Sequence, residues 1–141
     1  MSMAIPAHVK AHATGRWAET MFRALSTRVA ERWQFVSFRG QGKGEWRGVV
    51  DVIAIRKDTS QPANPKIKRG DLFEIILVQV KGGTSRSPTT EDCVRLREVA
   101  RCYAARDVVL FEWKKGVSWR FRVLNRRTLR WQDTSGEVIF A

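Results

Sequence analysis

The chain has 141 residues, 43% of them hydrophobic, with 26 lysines and arginines against 14 acids and a formal net charge of +12. That length accommodates one domain with an ordinary core, and so large a positive charge points to a polyanion as partner. No run of eighteen apolar residues occurs, so no spanning helix is expected, and Met1–Pro6 lacks the charged and apolar regions of a secretory signal.

Residues 1–14 read as an N-terminal arm. His8 and His12 in it stand at i, i+4 but have no Glu between them, so they do not form a zinc-protease motif. Residues 15–33 read as a helix, because Ala18, Phe22, Leu25, Val29 and Trp33 recur every three or four positions. Thr14 is its expected N-cap. Glu19 falls on the flank of that apolar stripe, beside Ser26 and Ala30. From a flank it can look into a cleft at a sheet edge, or simply into solvent.

Gln34–Arg39 reads as a short first strand. A glycine-rich, hairpin-length connector follows, Gly40–Gly48, with Lys43, Trp46 and Arg47 inside it and Arg39 just before. Val49–Ile55 is the second expected strand and Leu72–Lys81 the third, separated by a polar loop. Ser87-Pro88 opens a second helix, with Ser87 as N-cap and Pro88 at its first position. Cys93, Leu96, Ala100 and Tyr103 form the stripe that helix should bury. Cys93 and Cys102 lie nine residues apart on it, about 13 Å, too far for a disulfide. Both are therefore expected to be reduced thiols in a cytoplasmic protein. Val108–Phe111 is a fourth strand, and Val117–Val123 a fifth in which Trp119 points inward. The tail adds a short hairpin through Ser135-Gly136. Helix, three strands, helix, two strands describes a layered α/β domain with a mixed sheet.

Two strands carry a polar interruption. Asp51 sits inside Val49-Val50-Asp51-Val52-Ile53, and Gln79 and Lys81 sit inside Leu77-Val78-Gln79-Val80-Lys81-Gly82-Gly83. Burying such groups is costly, and two interruptions in successive strands suggest one shared site. Phosphodiester hydrolysis needs hard oxygen ligands for a divalent cation and a further charge to orient water or neutralise the transition state. Asp51 supplies an oxygen. Gln79 and Lys81 share a strand face, the Val80 carbonyl lies between them, and Gly82 and Gly83 let a nucleic-acid backbone approach closely. Read singly, Asp51 and Lys81 also fit a buried ion pair or strand-end residues reaching solvent.

On these residues the chain resembles the PD-(D/E)xK nuclease superfamily, in particular its small Holliday-junction-resolvase-like and restriction-endonuclease-like members. The resemblance covers roughly residues 15–123 of one domain spanning 1–141, with 124–141 as a C-terminal extension. It implies an α/β fold with a restriction-endonuclease-like αβββαβ core, a mixed central sheet flanked by helices. It further implies a Mg²⁺- or Mn²⁺-dependent endonuclease with Glu19, Asp51, Gln79 and Lys81 catalytic, and with Glu19, Asp51, Gln79 and the Val80 carbonyl around the metal. Gln79 departs from the usual Asp or Glu, and residue 50 is Val rather than Pro. An amide oxygen binds a divalent cation more weakly than a carboxylate, so a non-catalytic nucleic-acid-binding module on the same fold is the competing expectation. A basic subunit of a larger complex is the third.

The positive charge crowds the second half of the chain. Arg97 and Arg101 are one helical turn apart, and Arg120 and Arg122 share a strand face. With Arg39, Lys43, Arg47 and Arg86 nearer the site, these are the expected phosphate contacts. Trp46 is the candidate for stacking on a base. DNA, possibly branched, is the expected partner, RNA an alternative, a membrane is not expected, and a homodimer would suit two-strand cleavage.

Overall fold

The structure, a computed structural model, describes residues 20, 22–24, 26, 32–38, 48–83, 86–114 and 118–141. Glu19, Arg39, Lys43, Trp46, Arg47 and all of the expected glycine-rich connector but Gly48 therefore lie outside the described residues.

Among the described residues six strands form one sheet in chain order: β1 (Gln34–Ser37), β2 (Val52–Lys57), β3 (Phe73–Gly82), β4 (Asp107–Lys114), β5 (Ser118–Asn125) and β6 (Arg130–Thr134). All neighbours are antiparallel except β3 and β4. That parallel pair needs a crossover, which is supplied by helix α1 (Thr90–Cys102). A short helix, α2 (Gly136–Ile139), closes the chain. The domain is thus α/β with a mixed central sheet.

Alternation in β3 divides the core between the two sheet faces. Ile76, Val78 and Val80 join Val52, Ala54, Val109, Phe111 and Phe121 on one face. This face is covered by Phe22, Trp33 and Phe140, which join Phe35, Phe111 and Phe121 in one cluster of edge-on or tilted ring pairs with centroids 5.0–6.4 Å apart. Such pairs add roughly 0.5–1.5 kcal/mol beyond their burial. Leu77 and Val108 on the other face pack under Cys93, Leu96 and Ala100 of α1. Thr20, Phe22, Arg23, Ala24 and Ser26 are helical, with Phe22 and Ser26 fully buried. Ser26 occupies the flank on which the sequence places Glu19.

Several expectations are corrected. The first helix does not reach Trp33: Arg32 is in a turn, and Trp33 is buried as the lead-in to β1, with its indole N–H donating to Phe140 O at 3.1 Å. The N-cap of α1 is Thr89, not Ser87. Only Thr89 has a reciprocating partner three residues on: Asp92 N–H donates to its hydroxyl and Thr89 N–H to the Asp92 carboxylate. Tyr103 leaves the buried stripe because α1 ends at Cys102, and its ring is 64% exposed. Trp119 is 47% exposed, one pleat beyond the reach of the aromatic cluster that covers Phe121. The terminal hairpin turns at residues 126–129, where Asn125 Oδ1 accepts from Arg127 N and Thr128 N; Ser135 instead caps α2. Cys93 is buried, Cys102 exposed, and both are free thiols. Among the described residues no helix is long and apolar enough to cross a membrane.

Candidate functional site

Strand β2 begins at Val52 rather than Val49 because the chain leaves the ladder at Asp51. Val52 faces Val78 in register, yet Asp51 N–H also donates to Val78 O, at 2.9 Å, while Asp51 O accepts from Phe38 N at 2.9 Å. The next inward-pointing donor on β3, Val80 N–H, meets no β2 carbonyl. It donates to Asp51 Oδ2 at 2.7 Å instead. A side-chain carboxylate has taken a backbone ladder position, a short bond of charge-assisted type. Asp51 is thereby held against the residue between Gln79 and Lys81.

Gln79 and Lys81 lie on the face of the sheet that α1 covers, the face of Leu77. Gln79 is 6% exposed, and its Oε1 is buried without a hydrogen-bond partner among the described residues. Leaving such an oxygen unpaired costs about 1–3 kcal/mol, so the site holds an acceptor that asks for a cation or donor. Lys81, half-buried, reaches toward the first turn of α1. The Asp92 carboxyl is held below its ordinary range chiefly by the Thr89 N–H, with the Lys81 ammonium adding a smaller pull. Gln79 and Lys81 lie in the C-terminal half of β3, beside the C-terminal half of β4, toward the end at which open α/β sheets place their ligand crevices.

The row continues across the sheet. Lys81 faces Glu112 on β4, which faces Arg120 on β5. The Glu112 carboxylate is 7% exposed and takes Arg122 at 2.7 Å and Arg120 at 3.4 Å. Glu112 is the site-flanking residue that sequence reasoning missed. Its signal was a carboxylate inside the apolar run Val108–Trp113, the same kind of signal that marked Asp51. Arg122, 18% exposed, is tied to Glu112 and is a structural ion-pair partner first; Arg120, 49% exposed, keeps a face toward solvent.

The remaining expected contacts scatter. Arg86 is exposed in the segment leading to α1. Arg97 and Arg101 both pair with Glu98, and Arg101 lies in the last turn of α1, about 16 Å down the axis from Thr90. Glu74 ion-pairs with Arg56 and Arg106 toward the opposite end of the sheet, so it makes no contribution beside Gln79. No group of three His, Cys, Asp or Glu side chains arranged for a metal occurs among the described residues. The contact shown is the Asp51 carboxylate on the Val80 N–H, and the Gln79 amide and Val80 carbonyl are the oxygens of the adjoining residues. Hard oxygens of this kind suit Mg²⁺ or Mn²⁺ rather than a soft metal, and the orphaned Gln79 Oε1 fits such a cation. Compared with protein-family models, with curated proteins and with solved structures, the chain gives no significant match.

Proposed function

We propose that the protein is a metal-dependent endonuclease that hydrolyses DNA phosphodiester bonds, on a restriction-endonuclease-like core of the PD-(D/E)xK kind. The observation that carries this reading is the bond from Val80 N–H to Asp51 Oδ2, which sets the carboxylate just before β2 beside Gln-x-Lys of β3. The β1–β2–β3 meander followed by a helical crossover to a parallel β4 is the strand arrangement such a core requires.

In this reading Asp51, the Gln79 amide oxygen and the Val80 carbonyl hold Mg²⁺ or Mn²⁺, with Glu19 as a further ligand. When bound, the cation supplies Lewis-acid polarisation of the phosphate and a more acidic water. The Val80 N–H fixes the Asp51 carboxylate, so it loses no orientational freedom on binding. Lys81 projects from the same face as Gln79 and orients the attacking water or offsets charge gathering on the phosphate. Gly83, partly exposed just past the end of β3, lets the backbone of a nucleic-acid strand come close without a Cβ in the way.

The test is incubation of the protein with supercoiled, linear and four-way-junction DNA in Mg²⁺, Mn²⁺ or EDTA. Cleavage that needs metal and is lost in Asp51→Ala, with binding retained, supports the reading. Binding without cleavage by the wild type and by Gln79→Glu instead supports a non-catalytic nucleic-acid-binding module, which the uncharged Gln79 favours.

A further inference from the structure

The strand directions put a second set of cations at the end of the sheet opposite Asp51. Strand β2 ends at Lys57 and β3 starts at Phe73, so loop 58–72 lies at that end; β5 ends at Asn125 and β6 starts at Arg130, so turn 126–129 lies there too. The loop exposes Lys66, Lys68 and Arg69, and the turn region exposes Arg127 and Arg130. Loop and turn are about three strand spacings, ~14 Å, apart, and each is about 20 Å from the Asp51 end along the strands.

These five cations are surplus charge. None of them forms an ion pair among the described residues, and most carboxylates of this end are engaged elsewhere. Glu74 takes Arg56 and Arg106, Asp107 takes Arg106, and Glu98 takes Arg97 and Arg101. Asp58 and Asp71 are turned onto Ser60 and the Lys68 N–H inside their own loop. The surface is also held in place. Asn64 Oδ1 accepts from Lys66 N, Asp71 Oδ2 accepts from Lys68 N, and Arg126 ties the turn to the carbonyls of Ala105 and Arg106 at 3.0 and 2.6 Å. Exposed cations carried on a held backbone at two places ~14 Å apart can each reach phosphates of one duplex, which carries a charge every ~1.7 Å along its axis.

We propose that this end is a second contact for duplex DNA, separate from the Asp51 end, so that one duplex lying along the strands, or a second arm of a branched substrate, touches both. The proposal rests on nucleic acid being the partner, and it does not rest on cleavage.

The experiment is binding of a duplex of about 24 base pairs in EDTA across a salt series. It compares the wild type with Lys66→Ala/Lys68→Ala/Arg69→Ala and with Arg127→Ala/Arg130→Ala. Each lost phosphate contact lowers the slope of log affinity against log salt by about 0.9. The loop variant is expected to lose about 2–3 units of slope and the turn variant about 1–2, both with native unfolding midpoints and unchanged Mn²⁺ affinity. Because loop and turn are independent segments, a loop variant that melts early leaves the turn variant to decide. Unchanged slopes in natively folded variants would overturn the proposal, and acidic proteins would become the candidates for this surface. In that case cleavage that persists keeps the nuclease reading alive. Conversely, reduced slopes with a wild type that never cuts uphold this surface and reject the nuclease.

Discussion

Glu112 offers a sharp test of how the sheet face beside Lys81 is held. Its carboxylate is 7% exposed, 2.7 Å from Arg122 and 3.4 Å from Arg120, and it faces Lys81 across the parallel ladder. Glu112→Gln keeps the shape and removes the charge, taking from Arg120 and Arg122 the carboxylate they share and leaving Arg122 only the exposed Asp133 at 3.8 Å. Removing one partner of a fully buried pair costs about 3–5 kcal/mol. Arg122 is 18% exposed and Arg120 49%, so water screens part of the loss, and about 2–3 kcal/mol is expected. For a chain of this length that corresponds to a fall in Tm of roughly 10 °C. Urea unfolding followed by tryptophan fluorescence measures it, with the midpoint shifting at constant slope. Pairing Glu112→Met with Arg122→Met should restore part of the loss, since two apolar side chains replace two charges. A cost under about 0.5 kcal/mol for Glu112→Gln, or strict additivity in the double variant, would refute the claim that this ion pair holds the face.

Four further outcomes follow from the structure. Gln79→Glu places a buried carboxylate beside Asp51, so without metal the variant should lose about 3 kcal/mol of stability, and millimolar Mn²⁺ should return most of it in a thermal melt. Thr89→Ala should cost about 1 kcal/mol by removing the α1 cap. Because Thr89 N–H, and to a lesser degree Lys81, hold the Asp92 carboxyl below its ordinary value of 3.8, Asp92 contributes stability above that pH, lost as pH falls through the depressed folded value. The stability difference between wild type and Asp92→Asn should therefore be constant near neutrality and shrink in acid. Burial raises the Cys93 thiol above its ordinary range, opposed in part by the Trp131 side chain, so a maleimide at neutral pH should label exposed Cys102 many-fold faster, as read by peptide mass spectrometry.

Much of the sheet was legible because its strands are written in strong alternation or in unbroken apolar runs. Leu77, Val78 and Val108–Phe111 announced themselves as buried strand residues, and the interruption at Asp51 and Gln79 was visible as charge or amide inside such runs. What sequence alone could not reach were features set by partners far along the chain. Trp119 has the parity of a core residue, but the covering aromatics stop at Phe121. Tyr103 continues the helical period by spacing, yet the helix ends one residue earlier. Ser87-Pro88 has the composition of a helix start, but the reciprocal bond between Thr89 and Asp92 outweighs it. The exchange at Asp51, where a side chain replaces a ladder carbonyl, leaves no mark on periodicity at all. The pairing of Arg120 and Arg122 with Glu112 likewise requires the register of β4 and β5. That pairing changes their meaning, because an arginine bound to a buried carboxylate serves the fold before it serves a phosphate.

The central claim is that Asp51, fixed by Val80 N–H, and the buried oxygen of Gln79 form a divalent-cation site. Titration of Mn²⁺ followed by electron paramagnetic resonance tests it most directly, comparing wild type with Asp51→Asn, whose amide oxygen still accepts from Val80. Saturable binding of Mn²⁺ by the wild type, competed by Mg²⁺ and weakened at least tenfold in Asp51→Asn, is the predicted result. Equal binding by both proteins, or none by the wild type, would contradict the account.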